Sequence, residues 1–348
     1  MLRRRPAISI GSNQEAIRKQ SGSNQEATTH MRLIDGHTHV ASTHFIPTEF
    51  MDGIVDNMME QMHLSPVPVA RERAMARLLA GYQDHDADIQ VREMDKLGIE
   101  KSVLLLPDFT YALKGNAYTV DEMFARHWQI LQRHPGRFEV FAGVDPRWGR
   151  DGLATFQRGV EQYGFRGLKL YPPCGYQADD PALTPFYEYC QEYHLPVLLH
   201  TGSTSPVLAF GPAVPMHVDG PARRYTNISF ILAHGAVNYQ EECVNLCRYR
   251  PNVYLDLSGA QWSAANPHHL ADFLKLFSNG INHKIIFGTD WPINKYHLNS
   301  TMIDLLRSED QGRPRVPVRE AQLILAGNIE RILAKARVAR PAADGAAA

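Results

Sequence analysis

The residues able to do chemistry in this chain lie in a few short stretches. Asp35-Gly36-His37-Thr38-His39 follows an apolar start at Leu33 and Ile34, and its two histidines are separated by one residue. Side chains alternate faces along an extended strand, so His37 and His39 point the same way, about 7 Å apart. Two imidazoles so placed could hold one metal ion, since neutral imidazole is a common metal ligand. Four more residues of this kind occur downstream: Lys169 in Gly-Leu-Lys-Leu, His200 in Leu-Leu-His-Thr-Gly, His234 in Leu-Ala-His-Gly-Ala and Asp290 in Phe-Gly-Thr-Asp-Trp. Each is ordinary alone, and only a shared location would make them a site.

Eight short β-branched or leucine-rich runs supply that location: 33–34, 102–106, 138–144, 167–171, 197–200, 228–233, 253–257 and 285–288. Apolar residues at helical spacing occupy 86–96, 120–133, 152–162, 181–193, 239–248 and 267–277, and 301–306 and 318–333 complete the alternation. Gly98 and His134-Pro135-Gly136 are helix stops. The pattern predicts an α/β fold, a (β/α)8 TIM barrel. A doubly wound open sheet is the alternative, and no Gly-x-Gly-x-x-Gly turn supports it. In such a barrel reactive groups sit at the C-terminal ends of the strands. His37, His39, Lys169, His200, His234 and Asp290 all fall there, which brings them to one mouth.

With these motifs in place, the chain resembles the amidohydrolase superfamily, in the amidohydrolase-related branch that includes aminocarboxymuconate semialdehyde decarboxylase. The matching stretches are Asp35-Gly36-His37-Thr38-His39, Leu199-His200-Thr201-Gly202, Ala233-His234-Gly235 and Gly288-Thr289-Asp290-Trp291-Pro292. The His-x-His pair alone is weak; its combination with His, His and Asp on strands one, five, six and eight is specific. The resemblance implies that His37, His39, His200 and Asp290 bind one divalent metal, with His234 beside it as acid, base or electrostatic stabiliser. It also makes a homodimer plausible.

Three imidazoles and one carboxylate suit zinc, with manganese as the alternative. A bound ion can bring the pKa of water to about 7 and polarise a carbonyl. Asp290 is then the natural proton acceptor, and His234 would orient the water or stabilise a developing oxyanion. Lys169 has three readings. It could fix a substrate carboxylate or hydroxyl, bridge a binuclear site as a carboxylated lysine with His200 and His234, or pair with an acid inside the barrel. Tyr171, Arg147 and Trp291 follow strand ends and are candidate substrate contacts. Equally, Asp145-Pro146-Arg147 reads as a turn with a salt-bridging arginine, and Trp291 as packing beside a fixed aspartate.

The expected activity is hydrolysis of a C–N, ester or lactone bond in a small anionic molecule. The alternative is non-oxidative decarboxylation of an unsaturated or aromatic acid on the same metal site. A non-catalytic metal-binding barrel is the third reading. The formal net charge of -1 gives no field to attract nucleic acid or anionic lipid. Cys174, Cys190, Cys243 and Cys247 contain no Cys-x-x-Cys pair, which fits a reducing cytoplasm. No run approaches the about 18 apolar residues of a membrane span.

Residues 1–30 carry the tandem copy Gly11-Ser12-Asn13-Gln14-Glu15-Ala16 and Gly22-Ser23-Asn24-Gln25-Glu26-Ala27 in a polar stretch, which reads as a disordered tail. Residues 339–348 read as a second tail, and residues 31–338 as the barrel domain; Met31 is a candidate natural start. The segment Ala41 to Asp84 is far longer than a usual connection and includes Met51, Met58, Met59 and Met62, which suits a lid or a packing surface. His44, His63 and His85, in or beside it, read as surface residues. Arg223-Arg224, in a second long connection, could meet an anion but more commonly stays solvated.

Overall fold

The computed structural model describes residues 31–64 and 67–338. The two stretches read as tails lie outside the described residues. Eight strands, β1 (Leu33–Thr38), β2 (Ile99–Leu106), β3 (Phe138–Gly143), β4 (Gly167–Leu170), β5 (Val197–His200), β6 (Phe230–Ala233), β7 (Val253–Asp256) and β8 (Ile285–Ile286), pair in sequence order. Every pairing is parallel. The seam between β8 and β1 is closed by backbone bonds from Gly36 N–H to the Phe287 carbonyl (2.8 Å), His39 N–H to Trp291 (2.7 Å) and Asp290 N–H to His37 (2.8 Å). The fold is the (β/α)8 barrel read from the alternation of runs.

Alternation along each strand separates two apolar layers. Ile34, Val103, Leu105, Phe141, Leu198, Ile231 and Ile286 meet inside the barrel, joined by Ile329, Ile332 and Leu333 of the C-terminal helix. Their neighbours Leu33, Leu104, Val140, Leu168, Leu199 and Leu232 face the surrounding helices. The helix at Val120–Arg133 begins at a capping box, in which the Thr119 side chain and Glu122 satisfy each other's backbone N–H groups.

Two elements differ from the sequence reading. β1 runs on from Ile34 to Thr38, because Asp35 and His37 are buried and hydrogen-bonded rather than solvated. The single helix read at 318–333 is instead Val318–Gln322, a wider-turned π segment Leu323–Gly327, and Asn328–Lys335. Such a segment changes the backbone pairing locally, and here the Ile324 carbonyl accepts the Phe287 N–H at 2.9 Å, just beyond β8.

The long segment after β1 forms two helices, α1 (Thr48–Gln61) and α2 (Arg71–Ala80). Its base is clamped where Thr43 N–H donates to the Tyr82 carbonyl (3.1 Å) and Asp84 N–H to Ala41 (2.8 Å). Arg71 holds the two helices together through Asp52 and Asp56, both at 2.9 Å. Ser205, in the connection after β5, donates to the Phe50 carbonyl of α1 at 3.0 Å. The helices therefore stand on the face of the barrel where the strands end.

Gly36 sits in the seam with no room for a side chain: a Cβ there would lie 2.5 Å from Ile286 Cγ2 and 3.2 Å from the Phe287 carbonyl. Gly36→Ala is expected to cost about 1–3 kcal/mol of stability by overpacking. Urea denaturation followed by circular dichroism checks this, and an unchanged midpoint would contradict it.

Candidate active site

The seam and the strand ends bring His37, His39, Asp290, His200 and His234 together. His37 Nδ1 lies 2.7 Å from Asp256 Oδ2, and His39 Nδ1 donates to the Leu105 carbonyl at 2.8 Å. With both Nδ1 atoms engaged, both Nε2 atoms face Asp290 Oδ1, at 3.4 Å from His37 and 3.5 Å from His39. Nitrogen and oxygen donors of these three residues lie within 4.8 Å of one another. A carboxylate behind one imidazole and a carbonyl behind the other is the arrangement that orients metal-ligating histidines. The donor set therefore fits a divalent ion.

His234 and His200 continue the ring. The His234 ring centroid is 4.8 Å from that of His37 and 4.8 Å from that of His200. His234 has a left-handed backbone (φ 59°), as does Asp290 (φ 59°). That conformation is uncommon outside glycine, and the cost falls on two residues whose side chains are aimed at one point. His200 stands apart from the trio: its Nε2 is 3.1 Å from the Ser203 carbonyl, and its ring stacks on Tyr171 at 4.4 Å.

Burial sets the charges. It would raise the Asp290 carboxyl, but hydrogen bonds from His37 and His39 and the His37 charge outweigh it and hold the group well below the usual carboxylate range. Burial also works against a charged His37, yet Asp256 and Asp290 reverse this and lift it to about 9. His39 and His200 are pushed down by burial, and His234 falls to about 4 for the same reason. Lys169, only 1% exposed, has no hydrogen-bond partner for its Nζ among the described residues. Burial pulls it down to about 8, against the opposing charges of Asp256 and Asp290.

A cavity of about 590 Å³ opens over this floor, lined there by His39, His200, His234 and Asp290. Phe50, Met51, Ile54 and Met58 of α1 form an apolar wall, so the methionine-rich segment covers the site. Tyr171 lines the cavity, with its hydroxyl 2.5 Å from Thr204. Arg147 does not reach it: its guanidinium is taken by Asp145 at 2.6 Å and the Cys174 carbonyl at 2.8 Å. Trp291 turns away too, stacking on Tyr296 at 4.7 Å. For both, the packing alternative describes the structure. His44 and His85 stack on each other at 4.1 Å outside the cavity, and Arg223 and Arg224 line a separate surface pocket with Asp179 and Asp180.

Asp256 was not picked out from the sequence. Its Oδ1 accepts the His234 N–H (2.8 Å) and the Ser258 hydroxyl (2.5 Å), while Oδ2 meets His37. Its signal was an acid interrupting the apolar run Val253-Tyr254-Leu255 at the C-terminal end of β7, the position that already held the other site residues.

A family model described as amidohydrolase matches residues 34–335. The chain belongs to the amidohydrolase family. No curated protein matches it by sequence. Among solved structures it is similar to an uncharacterised TIM-barrel protein of Bordetella bronchiseptica (TM-score 0.60, 20% identity, 87% of this chain and 99% of that one). It is also similar to a 5-carboxyvanillate decarboxylase of Novosphingobium aromaticivorans complexed with manganese and 4-hydroxy-3-methoxy-5-nitrobenzoic acid (0.58, 17%, 88% and 96%). A third is a 2,6-dihydroxybenzoate decarboxylase from Rhizobium (0.55, 18%, 86% and 99%). At these identities the likeness is one of fold. No helix among the described residues of this amidohydrolase is long and apolar enough to cross a membrane.

Asp256→Asn should weaken binding of a divalent ion about 10–100-fold, the usual effect of removing such an orienting partner; titration with Mn or Zn checks it. His37, lifted to about 9, carries a proton at neutral pH in the metal-free protein. It must lose that proton to act as a ligand. Calorimetry in buffers of different ionisation enthalpy should therefore show about one proton released on metal binding near neutral pH, declining as pH rises through about 9.

Proposed function

We propose that this amidohydrolase is a metal-dependent carboxy-lyase that removes carbon dioxide from a small aromatic or unsaturated acid. The observation that carries the reading is the cavity: an apolar wall faces a floor whose lining has a single acid, Asp290. Loss of carbon dioxide turns a charged carboxylate into a neutral molecule, and apolar surroundings favour that change. Hydrolysis needs a water in the reacting position, which the apolar wall does nothing to hold. The similarity to two decarboxylases supports the same choice, so the hydrolysis expected from the sequence takes second place.

His37, His39 and Asp290 would hold the ion, with His200 as a fourth ligand. When bound, the ion supplies positive charge where the substrate's oxygens lie. Zinc and manganese both suit imidazole and carboxylate donors, and the manganese in a similar decarboxylase favours manganese here. Asp290, held ionised, starts as a proton acceptor and takes the proton of a substrate hydroxyl or a water. It then returns that proton to the ring or alkene carbon. As the bond from that carbon to the carboxylate breaks, its electron pair restores the double bond that took up the proton, and carbon dioxide leaves. His234 is held neutral, and because the Ser258 hydroxyl 2.8 Å from its Nδ1 itself donates to Asp256, Nδ1 carries the proton and Nε2 is left as an acceptor for a substrate hydroxyl. Lys169 lies below as a compensating cation for the anionic substrate. This use of Lys169 is preferred to a carboxylated bridge, because its Nζ is closed in by burial and the acids that act on it, Asp256 and Asp290, balance a cation.

The test is a screen of hydroxybenzoates and unsaturated acids with the manganese-loaded protein, recording carbon dioxide alongside any hydrolytic product. Asp290→Asn is expected to lower kcat about 10²–10⁴-fold and His234→Ala by a comparable amount, the range for removing a positioned acid or base. Hydrolytic turnover of lactones or amides without carbon dioxide would restore the hydrolase. Unaltered turnover in both variants would move the chemistry elsewhere.

A further inference from the structure

The cavity has charged residues at its rim as well as its floor. Arg77, in the last turn of α2, and Lys295, which follows β8, both line it. They belong to distant parts of the chain, but α2 ends over Lys295: a Cβ on Gly81 would lie 3.4 Å from the Lys295 ammonium. That ammonium sits 4.9 Å over the Trp291 ring, which holds the side chain in place without neutralising it. Among the described residues neither cation has an acid within ion-pair distance. The acids nearby are committed elsewhere, Asp52 and Asp56 to Arg71 and Glu93 to Lys96. Asp290, the only acid lining the cavity, belongs to the floor.

Two cations without an acid at ion-pair distance among the described residues, an apolar wall and the histidine floor line one cavity, which suits a diacid. The geometry points to Arg77 and Lys295 as a distal anion subsite, which selects acids carrying a second anionic group beyond an apolar body. This deepens the carboxy-lyase reading and rests on it for the identity of the reacting end. The anionic group is a carboxylate, phosphate or sulfonate. Guanidinium recognises all three through paired hydrogen bonds, and the ammonium adds a point charge.

The experiment is equilibrium binding to the manganese-loaded full-length protein by calorimetry. The probes are 4-carboxyphenylacetate, 3-(4-carboxyphenyl)propanoate and biphenyl-4,4'-dicarboxylate, each paired with the analogue whose distal carboxylate is a carboxamide. For at least one spacing the diacid should bind about tenfold or more tighter than its amide, the size of a charge-assisted contact. Arg77→Gln and Lys295→Gln should each erode that preference, the double variant should abolish it, and added salt should shrink it in the wild type only. Thermal melting separates loss of the contact from loss of the fold; Arg77 is exposed, so its variant should melt with the wild type. Equal affinity of every pair, no binding of any probe, or a preference that survives in the double variant would overturn the subsite. Carbon dioxide release is followed on the same diacids carrying a hydroxyl beside the ring carboxylate, and on the hydroxybenzoates of the screen. A diacid preference without release keeps the subsite and rejects the carboxy-lyase, whereas release from monoacids without a preference does the reverse.

Discussion

The site depends on one buried carboxylate at the joint between the first and last strands. Asp35 is wholly buried, and it accepts hydrogen bonds from the Thr289 hydroxyl at 2.6 Å, the Thr289 N–H at 3.0 Å and the His37 N–H at 3.1 Å. Burial nonetheless lifts its carboxyl to about 7, which measures how strongly a low-dielectric interior opposes a charge even when it is well bonded. The joint fixes the register of both strands. His37 and Asp290, residues from distant parts of the chain, come to share a backbone bond at 2.8 Å and to face each other through their side chains.

A second layer controls what those side chains can do. Asp256 at the end of β7 orients His37, ties down the His234 backbone and fixes Ser258, which in turn lies beside both imidazoles at 3.1 and 2.8 Å. Two neighbouring histidines thus carry different charges: Asp256 and Asp290 lift His37 towards protonation against its burial, while burial keeps His234 neutral. Neighbouring groups with pKa values pushed apart are what proton transfer between substrate and protein requires.

Chemistry and shape come from different parts of the chain. The barrel contributes every histidine and acid in the floor, while α1 and α2, inserted after β1, contribute the apolar wall and one of the rim cations. The insertion is clamped at its base and tied to the connection after β5, so its side chains keep a defined relation to the floor. Substrate selection can therefore change with the insertion while the reacting groups stay in place.

The order of elements was legible because it rests on local physics. Apolar runs and helical spacing mark the strands and helices of a barrel, and the barrel's rule for strand ends gathers His37, His39, Lys169, His200, His234 and Asp290 at one mouth. Contacts between distant residues were not legible. A lone Asp256 carries no spacing signal, because its partners lie on other strands and only barrel closure brings them within 3 Å of it. Arg147 and Trp291 admitted two readings, since sequence places a residue near a strand end but not the direction of its side chain; Asp145 and Tyr296 decided those directions. The cations Arg77 and Lys295 were invisible for the same reason. By itself the sequence determined the fold and which polar residues gather at the ends of its strands. Their partners, their charges and the shape of the space before them were decided by tertiary packing, because hydrogen bonding and burial depend on what surrounds a group and not on its place along the chain.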